Sequence, residues 1–186
     1  RDAQRAVLLM EAGSGAWSVY RVLAGTLMGS RIGNDGRRQV MSFLFPVVFI
    51  GLTTVRFFFP VEAVTAARIG ARPRTLLEAR LEEDPEAGRA FLNMVYRVLK
   101  NSMDLVYSLG QRTAVERVAV FLLYLRNRHK IAAGLPDEDK ALCAIHLPMS
   151  RQDIADFLGL KKETVSRSFT QLDERNLISR PDNSHA

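Results

Sequence analysis

Residues 148–174 read PMSRQDIADFLGLKKETVSRSFTQLDE, and this stretch decides the fold. Ser150 offers a hydroxyl that can accept a bond from a free backbone N–H of a first helical turn. Asp153, three residues on, completes a capping box in its variant form with Asp in place of Glu. Ile154, Ala155, Phe157 and Leu158 then follow as an apolar stripe at helical spacing. Gly159 should stop that helix, because glycine enters the left-handed C′ conformation without a Cβ penalty. Leu160 is placed to plug the turn, and a second helix is expected from residues 161–163 onward. Val165, Phe169 and Leu172 give this helix one apolar face; Lys162, Glu163, Ser166, Arg167 and Thr170 lie on the opposite face. A short helix, a glycine turn and a second helix with a polar outer face form the geometry that enters a DNA major groove. An ordinary helical hairpin with solvated charges would show the same periodicity.

The residue identities separate these two readings. SRQDIADFLGLKKETVSRSFTQLDERNLI resembles the DNA-binding element of the CRP/FNR family of bacterial transcription regulators. The run Glu163-Thr164-Val165-Ser166-Arg167 is similar to the recognition-helix signature of its FNR and FixK branches. The resemblance extends over most of the chain and is strongest from residue 110 to residue 178. It implies a dimeric regulator that binds duplex promoter DNA at a TTGA…TCAA type palindrome and recruits RNA polymerase, as an activator, in the cytoplasm. A ligand-gated, CRP-like sensor of a cyclic nucleotide or another small effector is the alternative.

Composition permits this without requiring it. The chain has 186 residues, is 47% hydrophobic and 25% charged, and carries a formal charge of +6, which suits a polyanionic partner. Residues 111–186 hold 12 Lys/Arg against 10 Asp/Glu, a net of only +2, so the arrangement on the second helix matters more than the total. The most apolar stretch, residues 43–55, is too short to cross a membrane and contains Pro46 and Gly51. The single cysteine, Cys143, excludes an internal disulfide framework and fits a reducing compartment. It has two readings, a buried inert thiol or a redox-sensing thiol near the DNA-binding motif; no neighbouring base or cation in the sequence favours a low pKa.

The chain as a whole falls into three parts: residues 1–85, 86–110 and 111–186. In the first, residues 19–27 mix β-branched and aromatic residues around Gly25, Asn34-Asp35-Gly36 supplies the chemistry of a hairpin turn, and residues 37–45 alternate in polarity. Residues 61–69 are a further strand candidate. VYRVLAGTLMGSRIGNDGRRQVMSF resembles the β-roll of the cyclic-nucleotide-binding fold. Against that family the chain starts abruptly, and residues are expected to be missing at the start and around 54–57. A charged helix is expected over residues 75–83, then Pro85 in the first turn of a long helix from residue 86 to about 109. There Phe91, Val95, Val98, Ser102, Leu105 and Leu109 recur at alternating spacings of four and three, a coiled-coil-like dimer seam in which Asp at 98 or 105 would be disruptive. A solitary core helix would show similar spacing. Tyr96, Met103 and Val106 are candidates to face the β-roll. Gly110 should break the helix. Thr113 and Glu116 form a capping box for the next one, with Val118, Phe121, Leu122 and Leu125 as its buried stripe. Residues 144–147 and 177–178 are candidate strands of a wing.

The expected fold is therefore α+β: an antiparallel, cyclic-nucleotide-binding-like β-roll, a long dimerisation helix and a C-terminal winged helix-turn-helix. Catalysis needs a nucleophile, base or metal in mutual reach. His129, His146 and His185 belong to no metal-binding or catalytic pattern, so neither an enzyme nor a metal site is expected. CRP-like nucleotide sensors hold phosphate with an F-G-E cassette and a later R-S-A. Here Phe49-Ile50-Gly51-Leu52 and Phe59-Pro60-Val61 lack the glutamate and the arginine, and one cysteine cannot hold an iron–sulfur cluster. Haem stays open as an alternative that no residue argues for, and no cofactor is expected. Glu163, Ser166 and Arg167, at i, i+3 and i+4, are the candidate base-reading residues. Ser150, Arg151, Lys161, Lys162, Thr164 and Ser168 are the candidates for phosphate contact.

Overall fold

The computed structural model describes residues 2–3, 8–46, 48–52, 56–133 and 144–179. The chain divides into two compact units, residues 1–106 and 107–186. Cys143, the loop at 135–140, residues 54–55 of the expected break at 54–57 and the last seven residues lie outside the described residues.

The first unit contains β1 (Asp2–Ala3), β2 (Leu8–Met10), β3 (Ser18–Ala24), β4 (Leu27–Ile32), β5 (Arg38–Leu44), β6 (Phe49–Ile50), β7 (Val61–Ala63) and β8 (Ala67–Pro73). They form two antiparallel four-stranded sheets, ordered β1-β8-β3-β6 and β2-β7-β4-β5. Val22, Leu27, Ile50, Val61 and Ile69 belong to one buried cluster. In β3 the alternation that builds it is plain: Val22 is buried between exposed Arg21 and Leu23. The hairpin between β4 and β5 closes as its residues require, with Gly36 at positive φ and the Asp35 carboxylate accepting from the Arg37 N–H. Residues 61–69, which read as one strand, instead split between the two sheets. Val64 and Thr65 donate to the Thr26 carbonyl. Gly25, also at positive φ, lies so close to Ala66 that a Cβ would meet its carbonyl oxygen at 2.2 Å. A tertiary contact makes this crossover, and no local turn residue announces it.

Helix α1 (Arg74–Glu83) ends at Asp84, whose carboxylate accepts the N–H groups of Glu86 and Ala87 and so starts α2 (Pro85–Gln111). Those bonds, Ala87 first, hold the Asp84 carboxyl below the usual carboxylate range. Gly110 does not break α2. Glycine costs about 1 kcal/mol within a helix, and here the Arg112 N–H still reaches the Ser108 carbonyl at 3.1 Å. The helix stops because Thr113 starts the next one.

Along α2 the apolar residues left exposed are Leu92, Val95, Tyr96, Val98, Leu99, Met103, Val106 and Tyr107. Tyr96, Met103 and Val106, candidates to face the β-roll, are thus 57, 58 and 64% exposed. Of the expected seam, Phe91, Leu105 and Leu109 are half-buried within the chain, whereas Val95, Val98 and Ser102 are exposed. The open apolar stripe is Leu92, Val95, Tyr96, Leu99, Met103 and Val106, turned by about one residue from the expected seam.

In the second unit, α3 (Ala114–Ala133) begins with the expected box: the Glu116 carboxylate accepts from the Thr113 N–H and hydroxyl at 2.8 and 2.7 Å. Val118, Phe121, Leu122 and Leu125 are buried. Helices α4 (Arg151–Leu158) and α5 (Lys162–Glu174) follow, and α5 packs on both α3 and α4. Residues 144–147 and 177–178, the candidate wing strands, lie in no strand, and no β-ladder occurs among the described residues of this unit. No described helix is long and apolar enough to cross a membrane.

Candidate nucleic-acid interface

The local signals at residues 148–174 act as their chemistry dictates. Asp153 accepts from the Ser150 N–H at 3.0 Å, while the Asp153 N–H donates to the Ser150 hydroxyl at 3.1 Å, a complete capping box. Gly159 takes the left-handed conformation, and the Leu160 N–H closes on the Ala155 carbonyl at 2.9 Å, a Schellman end. Helix α5 ends the same way with Asn176 in glycine's place: Asn176 has a positive φ, and the Leu177 N–H reaches the Leu172 carbonyl at 3.0 Å. Helix α4 is thus bounded at both ends, and α5 at its C-terminal end.

Packing then chooses which face of α5 is free. Val165, Phe169 and Leu172 are buried, and the rings of Phe121 on α3 and Phe157 on α4 meet at 5.5 Å. The opposite face presents Lys162, Glu163, Ser166, Arg167 and Thr170, all exposed. From residue 163 to 170 this row runs about 10 Å along the axis, roughly three base steps of a duplex. No ion pair joins Glu163 to Arg167, so the acid does not hold the arginine in place. The Ser166 hydroxyl is bonded back to the Lys162 carbonyl at 3.1 Å, which leaves a small, low-relief surface between the two charged side chains.

The expected phosphate contacts divide. Lys161 and Lys162 are exposed at the N-terminal end of α5, where Lys161 is the N-cap and supplies no side-chain bond. The free first-turn N–H groups and the helix dipole favour an anion there. Ser150 is exposed beside its capping partner, and Thr164 is half-buried in the first turn of α5. Arg151 is half-buried, with its guanidinium 3.5 Å from the centroid of the Phe169 ring, so it braces α5 from α4. Ser168 is a correction. It is only 2% exposed, and its hydroxyl donates to the Thr164 carbonyl at 2.9 Å, so phosphate cannot reach it. The spacing shows why: Ser168 stands three residues after Val165 and four before Leu172, on the buried face.

A residue that sequence reading passed over is Arg117. It lies on the inner stripe of α3, four residues before Phe121, and is half-buried. An arginine at a core-facing position of an otherwise apolar stripe was the available signal.

A two-sheet β unit followed by a long helix and a helix-turn-helix defines a class of protein, the Crp-like regulators. Residues 116–185 match the Crp-like helix-turn-helix domain. The chain is 40% identical over 167 residues to the nitrogen fixation regulation protein FixK of Azorhizobium caulinodans, and 37% identical over 163 residues to that of Bradyrhizobium diazoefficiens. These alignments take in 89% and 87% of this chain, and the chain spans 65% and 66% of those relatives' lengths. The solved structure of FixK2 from Bradyrhizobium japonicum superposes with a TM-score of 0.83 at 30% identity, covering 97% of this chain and 88% of that one. The chain belongs to the CRP/FNR family, in its FixK-type branch. Its relatives are regulators, not enzymes.

Proposed function

We propose that this chain is a sequence-specific DNA-binding transcription regulator, an activator that acts as a homodimer on promoter DNA of the TTGA…TCAA type and engages RNA polymerase. The observation that carries the reading is the exposed row on α5, held by a buried opposite face and closed at its C-terminal end by Asn176. Arg167 would donate two bonds to O6 and N7 of guanine, and Glu163 would accept from a cytosine or adenine amino group. Ser166, with its hydroxyl turned inward, would let a thymine methyl approach. Lys161, Lys162, Thr164, Ser150 and the edge of Arg151 would meet phosphate.

The dimer would close on Leu92, Val95, Tyr96, Leu99, Met103 and Val106, the stripe that α2 leaves open. A two-fold pair of recognition helices would then reach successive major grooves roughly 34–36 Å apart; that spacing belongs to the general class of dimeric helix-turn-helix proteins. Fluorescence anisotropy on a TTGA…TCAA duplex tests the reading, with a scrambled duplex and added cyclic AMP as further arms. Preference for the palindrome, unchanged by cyclic AMP, is the expected result. Equal affinity for the scrambled duplex would overturn base readout. Binding that requires cyclic AMP would favour the effector-gated alternative.

A further inference from the structure

We infer that Arg117 is a positioning residue, which sets the helix-turn-helix against the last turn of α2 by bonding two helix ends at once. Its three guanidinium nitrogens are all engaged with backbone carbonyls. Nε donates to Arg112 at 3.0 Å, Nη2 to Leu109 at 2.7 Å and Nη1 to Leu158 at 3.1 Å. The first two acceptors belong to the end of α2 and the residue after it; the third is the last residue of α4. Helix ends leave their final carbonyls without partners and carry the negative end of the dipole, so one cation placed between two such ends is favoured by both. The planar fork of arginine can address several acceptors in fixed directions, whereas lysine is a point charge on a flexible stem.

The connection around this clamp is short and closely contacted. Only Arg112 and Thr113 separate α2 from α3. The Arg112 guanidinium lies 5.2 Å from the centroid of the Tyr107 ring, and its N–H extends the bonding of α2 to Ser108. A Cβ built on Gly159 would stand 3.6 Å from Leu109 and 3.8 Å from Arg117 Nη1, so the turn of the motif rests directly on the clamp. The same arginine therefore touches the start of the turn that leads into α5 and the end of the helix that carries the dimer stripe. This extends the DNA-binding dimer proposed above and rests on it: in a dimer, the direction in which α5 leaves the end of α2 governs which half-site spacing is read.

The test has two arms, on the intact chain and its Arg117→Gln and Arg117→Lys variants. The first uses no DNA. Native-state amide exchange is followed at Arg112 and Leu160, whose N–H groups bond carbonyls beside the clamp, and at Leu122 in the α3 core. Both reporter amides should exchange about tenfold faster in Arg117→Gln, the equivalent of about 1.4 kcal/mol of local opening, with Leu122 unchanged and Arg117→Lys intermediate. Unchanged reporters, or equal acceleration at Leu122, would show that Arg117 serves no joint or only the general fold, and the inference falls. The second arm titrates palindromes at the preferred spacing and with one base pair added or removed, beside a single half-site. The variants should lose affinity at the preferred spacing and keep it on the half-site, so that discrimination among spacings shrinks. Equal loss on every duplex overturns positioning. A wild-type chain that ignores spacing altogether counts against the dimeric reading, while the exchange arm still decides the clamp. If both variants fail to fold, as judged by circular dichroism, Arg117 is a fold residue and the inference is wrong.

Discussion

Replacing Leu99 by Asp should separate the two chains of the proposed dimer, whereas the same change at Val98 should leave them paired. The six stripe residues are between 39 and 64% exposed, Val95 the least and Val106 the most. Complete burial of such side chains yields about 1.5–3 kcal/mol each, so the half still in water is worth about 1 kcal/mol per residue. Six residues on each of two helices then offer roughly 12 kcal/mol gross. Association costs about 4–15 kcal/mol in lost freedom and ordering, so the balance is small and a few kcal/mol decide it. Asp at 99 removes about 1 kcal/mol from each helix and, by two-fold symmetry, sets two carboxylates in the seam, each costing at least about 1 kcal/mol to desolvate. A total near 4 kcal/mol would raise the dimer dissociation constant about a thousandfold. Val98 lies at the flank of the stripe, where an added carboxylate keeps its water. Sedimentation equilibrium over a range of concentrations measures the constants, and far-ultraviolet circular dichroism checks that the helices persist. If Val98→Asp dissociates and Leu99→Asp does not, the seam is the one spelled by 91, 95, 98, 102, 105 and 109, and the reasoning from exposure is refuted.

Other outcomes follow from the same structure. Arg167→Ala should cost about 1–3 kcal/mol on the cognate palindrome and relax discrimination at its guanine; competition titration on single-base variants measures this, and equal loss on every variant would mean a phosphate contact only. Lys162→Ala should weaken binding to all sequences alike and lower the slope of log affinity against log salt by about one; a changed base preference would contradict that role. Phe169→Ala should destabilise the second unit by about 3–5 kcal/mol, because it empties a buried site and removes the ring beneath Arg151; denaturant unfolding measures the loss. The Glu116 carboxyl is held below its ordinary value, first by the Thr113 hydroxyl and then by the Thr113 N–H. Its stabilisation is therefore full above the ordinary carboxylate value and lost as pH falls through the lowered one. Urea midpoints of wild type and Glu116→Gln should differ at pH 7 and converge on acidification; a difference that persists in acid would show that the charge is not the cause.

Local chemistry was enough wherever a signal and its partner lie within one turn of chain. Ser150 with Asp153, Thr113 with Glu116, Gly159 in the left-handed region and the Asn34-Asp35-Gly36 hairpin are each legible in a few residues, since the groups that satisfy one another are neighbours. The faces of the recognition helix were legible from its period, whereas its end at Asn176 was not read from the sequence. What sequence could not settle depends on groups that meet only after folding. Strands β7 and β8 part because the chain packs against Thr26, some forty residues earlier. The register of the α2 stripe depends on which side of the helix the rest of the chain covers, and two apolar rows one residue apart have the same spacing. Ser168 is inside because α5 lies on α3 and α4, and Arg117 matters because three carbonyls from two helix ends converge on it. A single residue carries its capacity for bonding in its side chain; which partners come within about 3 Å is a property of the folded chain alone.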